Sequence, residues 1–189
     1  MFEKRVKKTM RPFPLPIPKI KSSESVYQGY FDVRIDLLQS PQGLQLPYTI
    51  LDVKANAAAV LAKTVDGKYI INKEFRYPTG KWLLSCPGGR IDPGESPLET
   101  AKRELLEETG YGNGTFTLLG SVYPFPAVAD QLIYYIYVEN AELLQPPTLD
   151  TFELIQTELK TKQELFDEIA SGFPVDGVLC TALLLRSLD

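Results

Sequence analysis

Three carboxylates, Glu104, Glu107 and Glu108, follow directly after Arg103. Acids this dense repel one another and raise one another's pKa unless positive charge sits among them. Arg103 supplies one positive charge, and Glu95 is its expected partner. The remaining negative charge calls for a cation. Carboxylate oxygens suit a hard divalent ion such as Mg²⁺, Mn²⁺ or Ca²⁺. The chain has no His and two isolated cysteines, Cys86 and Cys180, which argues against zinc or another soft metal.

A helix positions these acids, and its ends can be read directly. Ser96 is a good N-cap, Pro97 suits the first helical position, and Glu99 completes a Ser-x-x-Glu capping box. Gly110 stands where a left-handed residue closes a helix. The helix therefore runs from about Pro97 to Glu108. On it Leu98, Ala101 and Leu105 form an apolar stripe, and the three Glu residues occupy an arc of about 100° beside that stripe. A merely solvated acidic helix would turn its acids away from the stripe. Here Glu108 falls next to Ala101, at the edge of the core.

The pattern Gly89, Glu95, Arg103, Glu104, Leu105, Glu107, Glu108, Gly110 resembles the Nudix box, with Tyr111 at a position more often aliphatic. Eight fixed positions make this a specific signal. The bland alternative is an acidic helix with accidental spacing. The resemblance covers most of residues 44–186. It implies an α/β (α+β) fold, a Nudix α/β/α sandwich with a mixed β-sheet, and hydrolysis of a nucleoside diphosphate linked to another group. It also implies that Glu104, Glu107 and Glu108, with the backbone oxygen of Gly88, hold Mg²⁺, with Mn²⁺ as a substitute. Glu95 would then orient Arg103 and through it the helix.

Flanking residues narrow the resemblance. Glu74-Phe75-Arg76-Tyr77-Pro78, Trp82-Leu83-Leu84 and Pro87-Gly88-Gly89 are similar to ADP-ribose pyrophosphatases and related nucleoside diphosphate sugar hydrolases. Pro126 stands about 15 residues past the box, where that group carries a Pro. Arg76 is the expected phosphate or ribose contact; the alternative is a surface ion pair. Two departures stand out. Ser85-Cys86-Pro87 replaces the usual Glu-Leu-Pro, and Gln131 stands where the group has a Glu proposed as the base. Gln131 cannot take a proton, so Asp130 and Glu107 remain as candidate bases. Glu153, in an expected strand at 152–159, is a further base or substrate contact.

The 189 residues fit one domain with a small appendage, and no apolar run approaches the roughly 18 residues of a membrane span. Two unpaired Cys suggest a reducing, cytoplasmic setting. Residues 1–21 hold seven basic residues and one acid; the remainder has 13 basic and 23 acidic residues, a net charge of −10. An acidic body argues against nucleic-acid binding, and no membrane partner is expected.

Three regions follow. Residues 1–21 form a basic arm whose alternating prolines, Pro12 to Pro18, favour polyproline II. Residues 22–54 form an N-terminal β-hairpin region, with strands at 26–37 and 44–53 around a turn at Ser40-Pro41-Gln42-Gly43. Residues 55–189 form the hydrolase domain, with strands at 55–63, 68–75, 115–122 and 131–138 and helices at 161–171 and 175–187. A hairpin cannot bury both faces alone, so 22–54 is expected to make a homodimer. The expected activity is metal-dependent hydrolysis of ADP-ribose, to AMP and ribose 5-phosphate, or of a related nucleotide sugar. The alternatives are a Nudix-fold sensor that binds a nucleotide sugar without cleaving it and, least favoured, an RNA-end processing factor.

Overall fold

The computed structural model describes residues 16–188, and two compact units divide between Asp52 and Val53. The prolines at 12 and 14 lie outside the described residues. Pro16 to Pro18 have no regular structure.

The first unit is a three-stranded antiparallel sheet in the order β1 (Lys19–Tyr27), β2 (Asp32–Gln39), β3 (Gln45–Asp52). This corrects the two-stranded hairpin. The run at 26–37 is not one strand: Gln28 to Phe31 break it, and Gly29 N–H donates to Asp32 Oδ1 at 3.1 Å. Within β1 the polar stretch KSSES lacks the period-two apolarity that marks a strand in a sequence. β1 begins at Lys19, inside the stretch read as the arm.

The second unit is a sheet of eight strands among the described residues. Its spine is β11 (Ile155–Lys160), β5 (Tyr69–Arg76), β4 (Ala57–Thr64), β10 (Ile133–Leu143) and β8 (Tyr111–Gly112). Strands β6 (Lys81–Ser85), β7 (Gly88–Arg90) and β9 (Thr115–Val122) pair with β5, β4 and β10. β4 and β10 are parallel, and the other pairs are antiparallel. The sheet is thus mixed, as the resemblance implied.

β4 explains its own composition. Ala58, Val60 and Ala62 face Ala101 and Leu105 of α1 (Pro97–Thr109), while Ala59 and Leu61 join Leu165 of α2 (Lys162–Ala170) and Leu179 and Ala182 of α3 (Gly177–Ser187). A strand buried on both faces reads as a continuous apolar run, and its alanines let the helices approach closely. Helices therefore cover both faces, giving the α/β/α sandwich. β10 runs past the expected 138 through an irregularity between Val138 and Ala141, where Asn140 takes φ 60°. β11 starts at Ile155, so Glu153 precedes the strand instead of lying in it.

Candidate active site

Helix α1 is capped as its sequence requires. Glu99 N–H donates to Ser96 Oγ at 3.3 Å, and Ser96 N–H donates to Glu99 Oε2 at 2.7 Å. Gly110 closes the helix at φ 76°, its N–H donating to Leu106 O. The helix turns Glu104 and Glu108 inward: both are buried beside Ala101 and Leu105. Gly89 on β7 leaves room for this. A Cβ there would meet the Glu104 carboxylate, which would have to shift to admit it.

Arg103 is the hub of the outer acids. Its Nε donates to Glu95 Oε1 at 2.9 Å and its Nη2 to Glu95 Oε2 at 3.0 Å, a two-point pairing. Thr100 Oγ1 also donates to Glu95 Oε2, at 2.7 Å. The Arg103 hydrogen bonds hold the Glu95 carboxyl down to about 2. Nη1 reaches Glu104 Oε1 at 2.8 Å and Glu107 Oε2 at 3.1 Å, and Nη2 reaches the Arg90 carbonyl at 3.2 Å. Arg103 thereby ties the helix to β7 and to the loop before it.

Among the described residues, no arginine pairs with Glu108. Its Oε2 accepts from Asn72 Nδ2 at 2.7 Å and from Gly88 N–H at 3.0 Å. Burial pushes its pKa up to about 9, the Glu104 charge adds to the rise, and the Gly88 N–H opposes it; Glu74 and Glu153 raise it further. Burial also raises Glu104 and Glu74, and the charge of Glu153 raises both. Glu74, Glu104, Glu108 and Glu153 thus share one electrostatic neighbourhood.

The donor chemistry fits a hard divalent cation: buried carboxylate oxygens, short of positive charge, on one helix edge. Among the described residues, no three acidic or cysteine side chains already converge as a cage. Arg103 Nη1 occupies the space between Glu104 and Glu107, so a cation there would take over its contacts.

The outlying residues are distributed unevenly. Arg76, at the end of β5, pairs with Glu74 at 2.7 Å and lies 3.9 Å from Asp176. Glu153 sits in a turn, its Oε2 accepting from Asp150 N–H at 2.8 Å. Pro126 and Asp130 stand exposed on the β9–β10 loop, and among the described residues no hydrogen bond or ion pair joins Asp130 to the acidic cluster. Gln131 donates from Nε2 to the Ala55 carbonyl at 3.1 Å, a contact that an ionised Glu could not make. Sequence reasoning missed Asn72 as a site residue and quoted Glu74 only as part of a motif. Both were findable: Ile70, Asn72, Glu74 and Arg76 alternate along β5, so the face that begins in the core with Ile70 turns polar as it reaches the site.

The NUDIX domain profile matches residues 53–174, more than half of the chain. The chain belongs to the NUDIX family. Members of that family generally need divalent metal ions. This NUDIX chain is 30% identical to the "ADP-ribose pyrophosphatase" of Bacillus subtilis (strain 168) over 167 residues, 87% of this chain and 90% of the relative. It is 32% identical to the "ADP compounds hydrolase NudE" of Escherichia coli (strain K12) over 134 residues, 70% of each chain. A crystal structure of an ADP compounds hydrolase superposes with a TM-score of 0.77 at 24% identity, over 92% of this chain and 94% of that one. At that identity the likeness speaks for the fold. No helix among the described residues is long and apolar enough to cross a membrane.

Proposed function

We propose that this chain hydrolyses the diphosphate bond of ADP-ribose, giving AMP and ribose 5-phosphate, or of a related nucleoside diphosphate sugar. The observation that carries this is the buried acidic edge of α1, Glu104 and Glu108 beside Glu107, in a chain 30% identical to an ADP-ribose pyrophosphatase over most of both lengths. Glu104, Glu107, Glu108 and the Gly88 carbonyl would hold Mg²⁺, for which Mn²⁺ could substitute. Such an ion, when bound, offsets the diphosphate's negative charge and lowers the pKa of water. Glu95 and Arg103 keep the helix in register with β7. Arg76, which pairs with Glu74, would meet a phosphate or ribose, and Pro126 is a further candidate substrate contact. One water adds to phosphorus, the bridging P–O bond breaks, and the water's proton passes to a carboxylate. Asp130, Glu107 and Glu153 are the candidate acceptors. Asp130 would need the β9–β10 loop to move.

In this reading the stretch before β1 is an arm, residues 19–52 are a homodimerisation region and 53–189 the hydrolase. The free thiols of Cys86 and Cys180 support a cytoplasmic setting. The test is product analysis by mass spectrometry with Mg²⁺ and a panel of ADP-ribose, other nucleoside diphosphate sugars, dinucleoside polyphosphates and nucleoside triphosphates. AMP and ribose 5-phosphate from ADP-ribose, abolished by a chelator, are expected. Calorimetric binding of ADP-ribose without cleavage would favour a sensor instead.

A further inference from the structure

Glu108 has two carboxylate oxygens, and the fold commits one of them. Oε2 accepts from both Asn72 Nδ2 and Gly88 N–H. Both bonds are donated to Oε2, one by the Asn72 amide nitrogen and one by a backbone N–H. The other end of the Asn72 amide, Oδ1, lies 3.4 Å from Thr157 Oγ1, whose hydroxyl also lies 3.4 Å from the Glu108 carbonyl.

Asn72 is 1% exposed, one residue after Ile71 on β5 and paired with buried Ser85 on β6. A polar side chain fully out of water in mid-strand costs stability that Val or Ile would not. Its neighbour across the strands does not share this role, since the Ser85 hydroxyl donates to the Cys86 carbonyl. The amide's short contact is the one to Glu108.

We propose that Asn72 is a positioning residue for the cation site. With Gly88 it holds Oε2, so that Glu108 offers Oε1 alone to the ion. This rests on the assignment of Glu108 as a metal ligand in the proposed function. Groups that orient a ligand from behind typically account for about 10- to 100-fold in metal affinity.

The test is calorimetric titration of the full-length protein with Mn²⁺ alone, without substrate, for the parent, Asn72→Leu, Asn72→Val, Glu108→Gln and the double variant Asn72→Leu/Glu108→Gln. Both Asn72 variants remove the donor, and Val also suits a strand, so one of them folds even if Leu packs poorly. Circular dichroism confirms the fold of each. The expected result is a Mn²⁺ dissociation constant raised about 10- to 100-fold by either Asn72 variant. The double variant should bind no more weakly than Glu108→Gln, because Asn72 acts through that carboxylate. Parent-like binding in a folded Asn72 variant, with weakened binding in Glu108→Gln, overturns the proposal alone. So do losses that simply add in the double variant. Parent-like binding in Glu108→Gln overturns the ligand assignment and the proposal with it.

Discussion

Glu95 and Glu108 are two acids of one motif with opposite pKa shifts. Glu95, gripped by Arg103, is held at about 2, whereas burial lifts Glu108 to about 9. The consequences for stability have opposite signs. A depressed acid stabilises the fold above its unfolded value near 4.5, and that stability is lost as pH falls towards 2. Glu95→Gln should therefore lower the melting temperature at pH 7, with the gap to the parent closing between pH 4.5 and 2 in calorimetric scans. A raised acid behaves in reverse: the metal-free fold is at full strength below pH 4.5 and weakens as pH climbs towards 9. Glu108→Gln removes that loss, and the amide oxygen of the substituted side chain can still accept from Asn72 and Gly88. Without metal at pH 7 the variant should be more stable than the parent, by roughly 3 kcal/mol. Its turnover with saturating Mg²⁺ should fall more than about 100-fold, beyond the loss of an outer partner. Near-parent turnover would remove Glu108 from the metal site.

At the scale of elements, the site depends on α1, β7 and β5 meeting at one edge. The capping box at Ser96 fixes where α1 starts, and so the rotation that brings Glu104 and Glu108 inward. Ser96→Ala should cost about 1 kcal/mol, read as a lowered denaturant midpoint at unchanged slope. Gly89→Ala tests the close approach of β7. The added methyl meets the Glu104 carboxylate, so Mn²⁺ affinity and turnover should both drop while the capping box and the sheet persist. Unchanged metal affinity would show that Glu104 moves aside freely. Gln131 shows the same dependence on context: just before β10 its amide fastens the chain to Ala55, a structural role in place of an acid–base one.

At the scale of the whole chain, the second unit buries its parallel pair β4–β10 between α1 and the α2–α3 layer, whereas the first unit is three strands with Ile20, Tyr27, Tyr30, Leu44 and Leu46 exposed. A twofold partner would cover the same exposed apolar patch on both copies. Light scattering of the full-length protein at micromolar concentration should give the mass of a dimer, as should a chain starting at Pro16, which spares all of β1. A monomeric mass for the full chain would sink the dimer.

The sequence by itself determined what local chemistry encodes. The ends of α1, its acidic edge, the Glu95–Arg103 pairing and the mixed α/β order were all legible, because caps, helical period and strand alternation act over a few residues. β1 was illegible because KSSES carries no apolar alternation, and its strand state comes from pairing with β2. Only the tertiary structure decided which residues back the acids. Asn72 lies 36 positions from Glu108, and Gly88 lies 20. No local signal specifies which strand faces a given helix turn. That pairing is set by how the apolar faces of β4 and β5 pack against α1, and it carries Asn72 and Glu74 to the acidic edge of the helix.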